Sequence, residues 1–264
     1  MGSSFRRGWG GPSYRAYGGG GGISFGPPLT PVIKQLILIN AAVFLALALL
    51  AIFAPRLLQA AVLLLGEVPQ DTVFRFRLWQ PLTYLFMHEQ FMHVFFNMFG
   101  LWMFGAQLER DWGSRRFLRY YLLTGVGAGM LNVAVSLLWG GTAASVPTIG
   151  ASGAIYGLLL AFGLLYPHQP IFIWFVFPVP ARIFVLIFGA LTFLSALQGP
   201  GSGVSHVSHL GGMLIGLAYL RGGWLYYRMR YGYADWRMKQ ARRKFDVYMQ
   251  EQDKEERHHK EWIN

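Results

Sequence analysis

Six stretches of the chain are long, apolar and nearly free of charge, and polar or glycine-rich segments separate them. The first stretch has about 20 residues, which is enough for a helix to cross a hydrocarbon core of about 30 Å. We therefore predict an all-α polytopic membrane protein, a bundle of six transmembrane helices. The predicted spans are residues 35–54, 93–108, 117–139, 152–166, 183–197 and 206–224.

The segments around the spans predict three parts. Residues 1–29 are glycine-rich and indicate a disordered cytoplasmic tail, and residues 30–224 form the membrane domain. Residues 225–264 turn abruptly polar, which fits either a basic cytoplasmic tail near anionic headgroups or a plain solvated helix. Residues 55–90 predict a long aromatic loop in the outer interface, and the proline-rich residues 170–180 predict an extended or interfacial connection rather than a span.

The composition supports a membrane protein, because 54% of the 264 residues are hydrophobic and only 13% are charged. There is no cysteine, which excludes disulfides, thiolate metal ligands and a cysteine nucleophile.

The net charge of +11 lies in segments that six spans would bring to one side. The positive-inside rule makes that side cytoplasmic, so we expect both termini in the cytoplasm and the protein in the cell membrane. Such an excess is also typical of nucleic-acid binding, but its one-sided distribution argues against that class.

A lone serine, Ser152, stands among small residues where the fourth span begins. That span has only 15 residues and makes a helix of about 22 Å, so Ser152 is expected about 8 Å below the outer edge of the bilayer core. A serine becomes a nucleophile when a base takes its proton and donors stabilise the developing oxyanion.

His209, at the start of the sixth span, is the candidate base. Gly212 shares its helical face and opens a small-xxx-small pair, as Gly153 does in the fourth span. Such pairs let two helix backbones touch, which would bring His209 within reach of Ser152. Tyr156, one turn after Ser152, could pack against the imidazole.

His93 and Asn97 are the candidate oxyanion donors, since they lie four residues apart on one face of the second span. Small-residue clusters in membrane helices are more often packing motifs, but ionisable groups at membrane depth are rare without a function.

Metal binding is the rival use of the histidines. His88 and His93 are one residue too far apart for a zinc HExxH motif, and His206 with His209 offers only a pair. We therefore expect no metal and no other cofactor. Because the last four spans contain no aspartate or glutamate, a dyad is a better interpretation than a triad.

Together these motifs resemble the rhomboid family of intramembrane serine proteases, from about residue 79 to residue 216. The motifs are Gly150-Ala151-Ser152-Gly153 with Tyr156, His88 and His93 followed by Asn97, and His209 with Gly212 and Gly216. The resemblance implies that Ser152 is the nucleophile and His209 the general base and acid. It implies an oxyanion hole of His93, Asn97 and the backbone N–H of Ser152.

The resemblance also implies supporting residues. Tyr156 would support His209, Gly150, Gly153 and Gly212 would shape the site, and His88 would brace the outer loop. The chain departs from the family where a Trp-Arg pair is expected and Trp79-Gln80 stands. Any loop contact of that arginine is therefore in question.

By this resemblance the protein cleaves transmembrane segments of other membrane proteins near the outer face, preferring helix-breaking residues and a small side chain at the cleaved position. A non-proteolytic relative that binds membrane clients is the alternative, although such relatives lack the serine or the histidine. A transporter would need polar residues along a path through the bilayer, and here they cluster near one side. The oligomeric state stays open.

Overall fold

The computed structural model describes residues 27–173, 177–197 and 205–222, with isolated positions between 237 and 249. Within this part the chain is mostly helical, with one two-stranded sheet of β1 (Pro170–Ile173) and β2 (Phe177–Pro180). The helices are α1 (Pro31–Phe53), α2 (Pro55–Leu65), α3 (Pro69–Phe74), α4 (Gln80–Thr83), α5 (Phe91–Gly100), α6 (Ala106–Trp112), α7 (Ser114–Trp139), α8 (Ser152–Leu165), α9 (Ala181–Leu197) and α10 (206–222). Short 3₁₀ turns cover Tyr84–Phe86 and Gly141–Ala144, and a π-helical turn, Leu101–Gly105, joins α5 to α6.

Five of the predicted spans each fall on one helix, with described ends that differ by a few residues. The second, residues 93–108, covers most of α5, the π-helical turn and the start of α6. Within the described ranges, two helices, α1 and α7, have both the length and the apolar character needed to cross a membrane. The apolar helices α2, α8 and α9 are shorter. The count of six spans therefore stays a prediction.

The start of α1 and the start of α7 are held by one carboxylate. Glu109 accepts hydrogen bonds from the N–H groups of Val32 at 3.0 Å and Ile33 at 3.1 Å, and from the Thr30 hydroxyl. It also accepts from the Ser114 hydroxyl at 2.6 Å. These bonds satisfy amides that a helix N-terminus leaves unpaired, which explains why α1 begins four residues before the predicted span.

The prediction of a long aromatic loop over residues 55–90 is wrong in part, because this segment contains α2, α3 and α4. Each of these helices has a proline in its first turn, where the missing N–H costs nothing. Phe74 and Phe76 are exposed, as expected of aromatic residues in the outer membrane interface. Tyr84, which belongs to the same predicted loop, is buried instead.

The centre of the fold is the packing of α7 against α8 and α10 through small residues. A side chain at Gly157 would lie 2.8 Å from Cβ of Thr124, and one at Gly211 would lie 3.1 Å from the backbone of Ala128. Close approach of these backbones leaves no room for larger residues and fixes the relative positions of the three helices.

The predicted connection over residues 170–180 is extended where the structure describes it, since β1 and β2 pair antiparallel and Ile171 lies opposite Val179. In a two-stranded sheet both strands are edges, so the prolines are tolerated there. The predicted tails, residues 1–29 and 225–264, lie almost wholly outside the described residues.

Candidate active site

Ser152 and His209 meet at the ends of α8 and α10. His209 Nε2 lies 2.7 Å from Ser152 Oγ, and His209 as a whole residue is 8% exposed. Ser152 is the first residue of α8 and follows Gly150, whose φ of +117° is accessible to glycine but strained for other residues. This geometry allows the hydroxyl to pass its proton directly to the imidazole.

The two helices come together because their glycines allow backbone contact. A side chain added to Gly212 would overlap the carbonyl group of Gly153, and one added to Gly216 would lie 3.5 Å from Cα of Gly157. The paired glycines therefore bring the start of α10 against the start of α8.

The ring of Tyr156 stacks on the imidazole of His209. The rings of Tyr156 and His209 are 4.2 Å apart and only 7° from parallel, and Thr192 of α9 donates a hydrogen bond to the tyrosine hydroxyl at 3.2 Å. Within the described part of the chain, Nδ1 of His209 has no hydrogen-bond partner. For Nε2 to accept the serine proton, Nδ1 must carry the imidazole's own hydrogen, and no carboxylate among the described residues holds it there.

The histidine and asparagine of α5 lie beside the segment that precedes Ser152. A side chain on Gly150 would lie 2.7 Å from the His93 ring and 3.6 Å from Asn97 Nδ2. The side chain of Asn97 is buried. Two potential donors therefore face the backbone next to the serine, where the oxyanion of an attacked carbonyl would form.

His88 belongs to the same cluster. Asn97 Nδ2 lies 2.9 Å from His88 Nε2, and the Ala151 N–H also points at that nitrogen, from 3.5 Å. Burial, with a smaller effect of the neighbouring His93, lowers the pKa of His88 to about 4. His88 is thus neutral and accepts through Nε2, and an amide hydrogen of Asn97 stays available for another acceptor. These bonds join α5 to the segment before Ser152, and the bracing of the outer loop by His88 stays a prediction.

A family model described as the Rhomboid domain matches residues 75–227, which is more than half of the chain. The chain belongs to the rhomboid family. It is 33% identical to Rhomboid protein 1, mitochondrial, of Saccharomyces cerevisiae over 144 residues, covering 53% of this chain and 39% of that protein.

Two bacterial relatives are named rhomboid proteases. Rhomboid protease GluP of Bacillus subtilis is 33% identical over 138 residues, or 52% of this chain and 24% of that protein. Rhomboid protease GlpG of Salmonella newport is 26% identical over 155 residues, which cover 57% of this chain and 50% of that protein. The chain spans half the length or less of these curated relatives.

In this rhomboid, Gln80 ties the end of α2 to the loop that follows. Its side-chain oxygen accepts from Val68 N–H at 3.1 Å and from the Thr72 hydroxyl at 2.9 Å, and its amide donates to the Leu63 carbonyl at 2.9 Å. Arg77 also donates to Leu63, at 2.7 Å. The glutamine therefore satisfies carbonyls that a helix end leaves unpaired, although it replaces the arginine that the resemblance led us to expect.

His206 lies at the edge of the site, with its ring 5.9 Å from that of His209 and nearly perpendicular to it. Within the described ranges no group of three or more potential metal-binding side chains comes together.

Three further polar residues are hydrogen-bonded to one another and to the segments that precede Ser152 and His209, and no motif in the sequence pointed to them. They are Glu67, Asn132 and Ser205, and the first two are buried. The signal was present for Asn132, because a polar side chain within a predicted span usually has a partner and a purpose.

Proposed function

We propose that this rhomboid is an intramembrane serine endopeptidase that cleaves transmembrane segments of other membrane proteins by a Ser152–His209 dyad. The observation that carries the proposal is the 2.7 Å contact between Ser152 Oγ and His209 Nε2 beside two hydrogen-bond donors. Its relatives named rhomboid proteases support the reaction class.

In the proposed first step, Ser152 Oγ attacks the carbonyl carbon of the scissile peptide bond while His209 Nε2 takes the hydroxyl proton. The carbonyl oxygen becomes an oxyanion, which accepts hydrogen bonds from His93, Asn97 and the backbone N–H of Ser152. Collapse of this intermediate breaks the C–N bond, and His209 returns the proton to the leaving amine.

In the second step, a water molecule gives its proton to His209 and attacks the acyl ester. Collapse of the second tetrahedral intermediate frees the new carboxyl terminus, and the proton returns to Ser152. Tyr156 holds the imidazole plane throughout, since the two rings stack at 4.2 Å.

The proposed orientation places both termini in the cytoplasm and the dyad near the outer face of the cell membrane. The positive charge of the predicted cytoplasmic segments and the short α8, whose first residue is Ser152, support it. A substrate helix must unwind to expose its backbone there, so we propose that helix-breaking residues and a small side chain favour cleavage.

The test uses the purified chain in proteoliposomes with a model transmembrane substrate and a fluorophosphonate probe. Ser152→Ala is expected to abolish both cleavage and labelling, and His209→Ala to reduce both by at least about 10³-fold. A Ser152→Ala protein that cleaves at the wild-type rate would refute the proposal. Absence of labelling in the wild type, with membrane clients still bound, would favour a non-proteolytic binder instead.

A further inference from the structure

Glu67 is a buried carboxyl that the proposed reaction does not use. It lies between α2 and α3, outside the predicted spans, with no exposed surface. Its main chain pairs in both directions with Thr148: Glu67 N–H donates to Thr148 O at 2.9 Å, and Thr148 N–H donates to Glu67 O at 2.8 Å. Thr148 stands four residues before Ser152, so Glu67 is bonded to the segment that leads into the nucleophile.

The carboxylate reaches the other catalytic helix through Asn132 of α7. Asn132 Nδ2 donates to Glu67 Oε2 at 3.1 Å and to the Thr148 hydroxyl at 3.1 Å. The oxygen of the same amide accepts a hydrogen bond from the Ser205 hydroxyl at 2.6 Å. One asparagine therefore connects Glu67 with residues on both sides of the site.

Ser205 caps α10, the helix that carries His209. Its hydroxyl oxygen accepts from the N–H of Ser208 at 3.1 Å, and its carbonyl oxygen accepts from the N–H of His209 at 3.3 Å. A side-chain cap of this kind fixes where a helix starts and in which direction it leaves. The chain of bonds from Glu67 thus ends on the turn that holds the imidazole.

The side chain of Glu67 fills the space beside Gly129 and Tyr84 closely. A side chain at Gly129 would overlap Glu67 Oε1 and would lie 2.9 Å from the ring of Tyr84. Burial raises the pKa of Glu67 to about 7, and the hydrogen bond from Asn132 opposes that rise. Burying a carboxyl group is costly, so its presence here calls for a compensating role.

We propose that Glu67 is a positioning residue for the dyad: through Thr148 and Asn132 it holds the start of α8 and the cap of α10 at the spacing that lets His209 reach Ser152. This inference rests on the proposed protease function. It assigns Glu67 no contact with substrate.

The experiment measures the rate constant of fluorophosphonate labelling per folded site, together with kcat and KM for a transmembrane substrate. Glu67→Leu removes the acceptor for Asn132 and is expected to slow labelling and kcat about tenfold, with KM nearly unchanged. Glu67→Gln keeps an oxygen for Asn132 and is expected to label within about threefold of the wild-type rate.

Ser205→Ala tests the other end of the connection and covers the case in which Glu67→Leu does not fold. It should also slow labelling about tenfold, and the double variant should be little slower than the slower single variant, because both cut one chain of bonds. The matched control is Ser136→Ala, one turn along α7 from Asn132. Ser136 is buried and, among the described residues, bonds to neither catalytic segment, so its labelling rate should not change.

If both Glu67→Leu and Ser205→Ala are labelled at the wild-type rate per folded site, the inference is overturned, even if either variant yields less folded protein. Strictly additive effects in the double variant would overturn the single connection through Asn132. Failure of the proposed function looks different, because then the wild-type protein itself is not labelled at Ser152.

Discussion

Replacing Gly212 with alanine tests whether the backbone contact between α8 and α10 sets the distance between base and nucleophile. The added methyl group would lie 2.7 Å from the carbonyl carbon of Gly153 and closer still to its oxygen. Ordinary contacts of a Cβ atom begin at 3.4 Å. Because backbone cannot rotate out of the way as a side chain can, the two helices must separate by about 1 Å or more.

That displacement acts directly on the dyad, since Gly212 lies one turn after His209 and Gly153 follows Ser152. The distance between Oγ and Nε2 is now 2.7 Å. A further 1 Å brings it to about 3.7 Å, beyond the range of a hydrogen bond. A misplacement of about 1 Å in reacting groups costs about 10²-fold in rate, and overpacking costs about 1–3 kcal/mol in stability. We expect kcat to fall at least 10²-fold while most of the protein stays folded.

The assay compares cleavage of a transmembrane substrate and fluorophosphonate labelling per folded site in proteoliposomes. Gly222→Ala is the matched control, because it lies on the same helix and no described atom comes within 4 Å of its added carbon. We expect that control to match the wild type. If Gly212→Ala cleaves within about threefold of the wild-type rate, helix contact does not set the geometry of the dyad and the reasoning fails.

Three further predictions follow from individual side chains. Asn97→Ala removes a proposed oxyanion donor and should lower kcat by about 10²–10³-fold, as measured by substrate cleavage. Because it also removes the hydrogen bond to the buried His88, it should lower the stability measured by melting by about 1–3 kcal/mol. Gln80→Leu leaves the Leu63 carbonyl and the Val68 N–H unpaired, so it should destabilise the fold by about 2–3 kcal/mol in thermal unfolding while the labelling rate per folded site is retained. The pKa of Glu67 is about 7 when folded and 4.5 in the reference state, so the contribution of Glu67 to stability should fall as pH rises from 4.5 to 7, by on the order of 3 kcal/mol. The lowered pKa of His88 acts in the opposite direction and is shared by the variant, so the measurement is the stability of the wild type relative to Glu67→Gln, which should decline between melting curves at pH 5 and pH 8.

The sequence was informative wherever local pattern decides structure. Apolar length predicted where the long helices lie, and the spacing of His93 and Asn97 predicted that they share a face of α5. The glycine pairs at Gly153 and Gly212 predicted the contact that brings Ser152 and His209 together, because small residues permit what larger ones prevent. These features depend on residues close in sequence or on one pair of facing helices.

Other features escaped sequence reasoning because they depend on distant partners. The helix α2 forms within a predicted loop because side chains from a later turn, including Gln80 and Trp79, satisfy its last carbonyl groups. The π-helical turn Leu101–Gly105 has no distinctive local pattern. The role of Glu67 needs Asn132 and Ser205, which are far away in the chain and meet it only after the helices pack.

The buried polar groups around Ser152 and His209 offset the cost of their burial by hydrogen-bonding to one another. In an apolar surrounding each unpaired donor or acceptor is costly, so the serine and histidine of the proposed dyad can be held there only if the groups around them are hydrogen-bonded too. Asn97 is paired with His88, and Asn132 is paired with both Glu67 and Ser205. Cutting one of these bonds leaves its partner unpaired beside the dyad. For this reason we expect substitutions in the surrounding network to alter the rate at Ser152 as well as the stability of the fold.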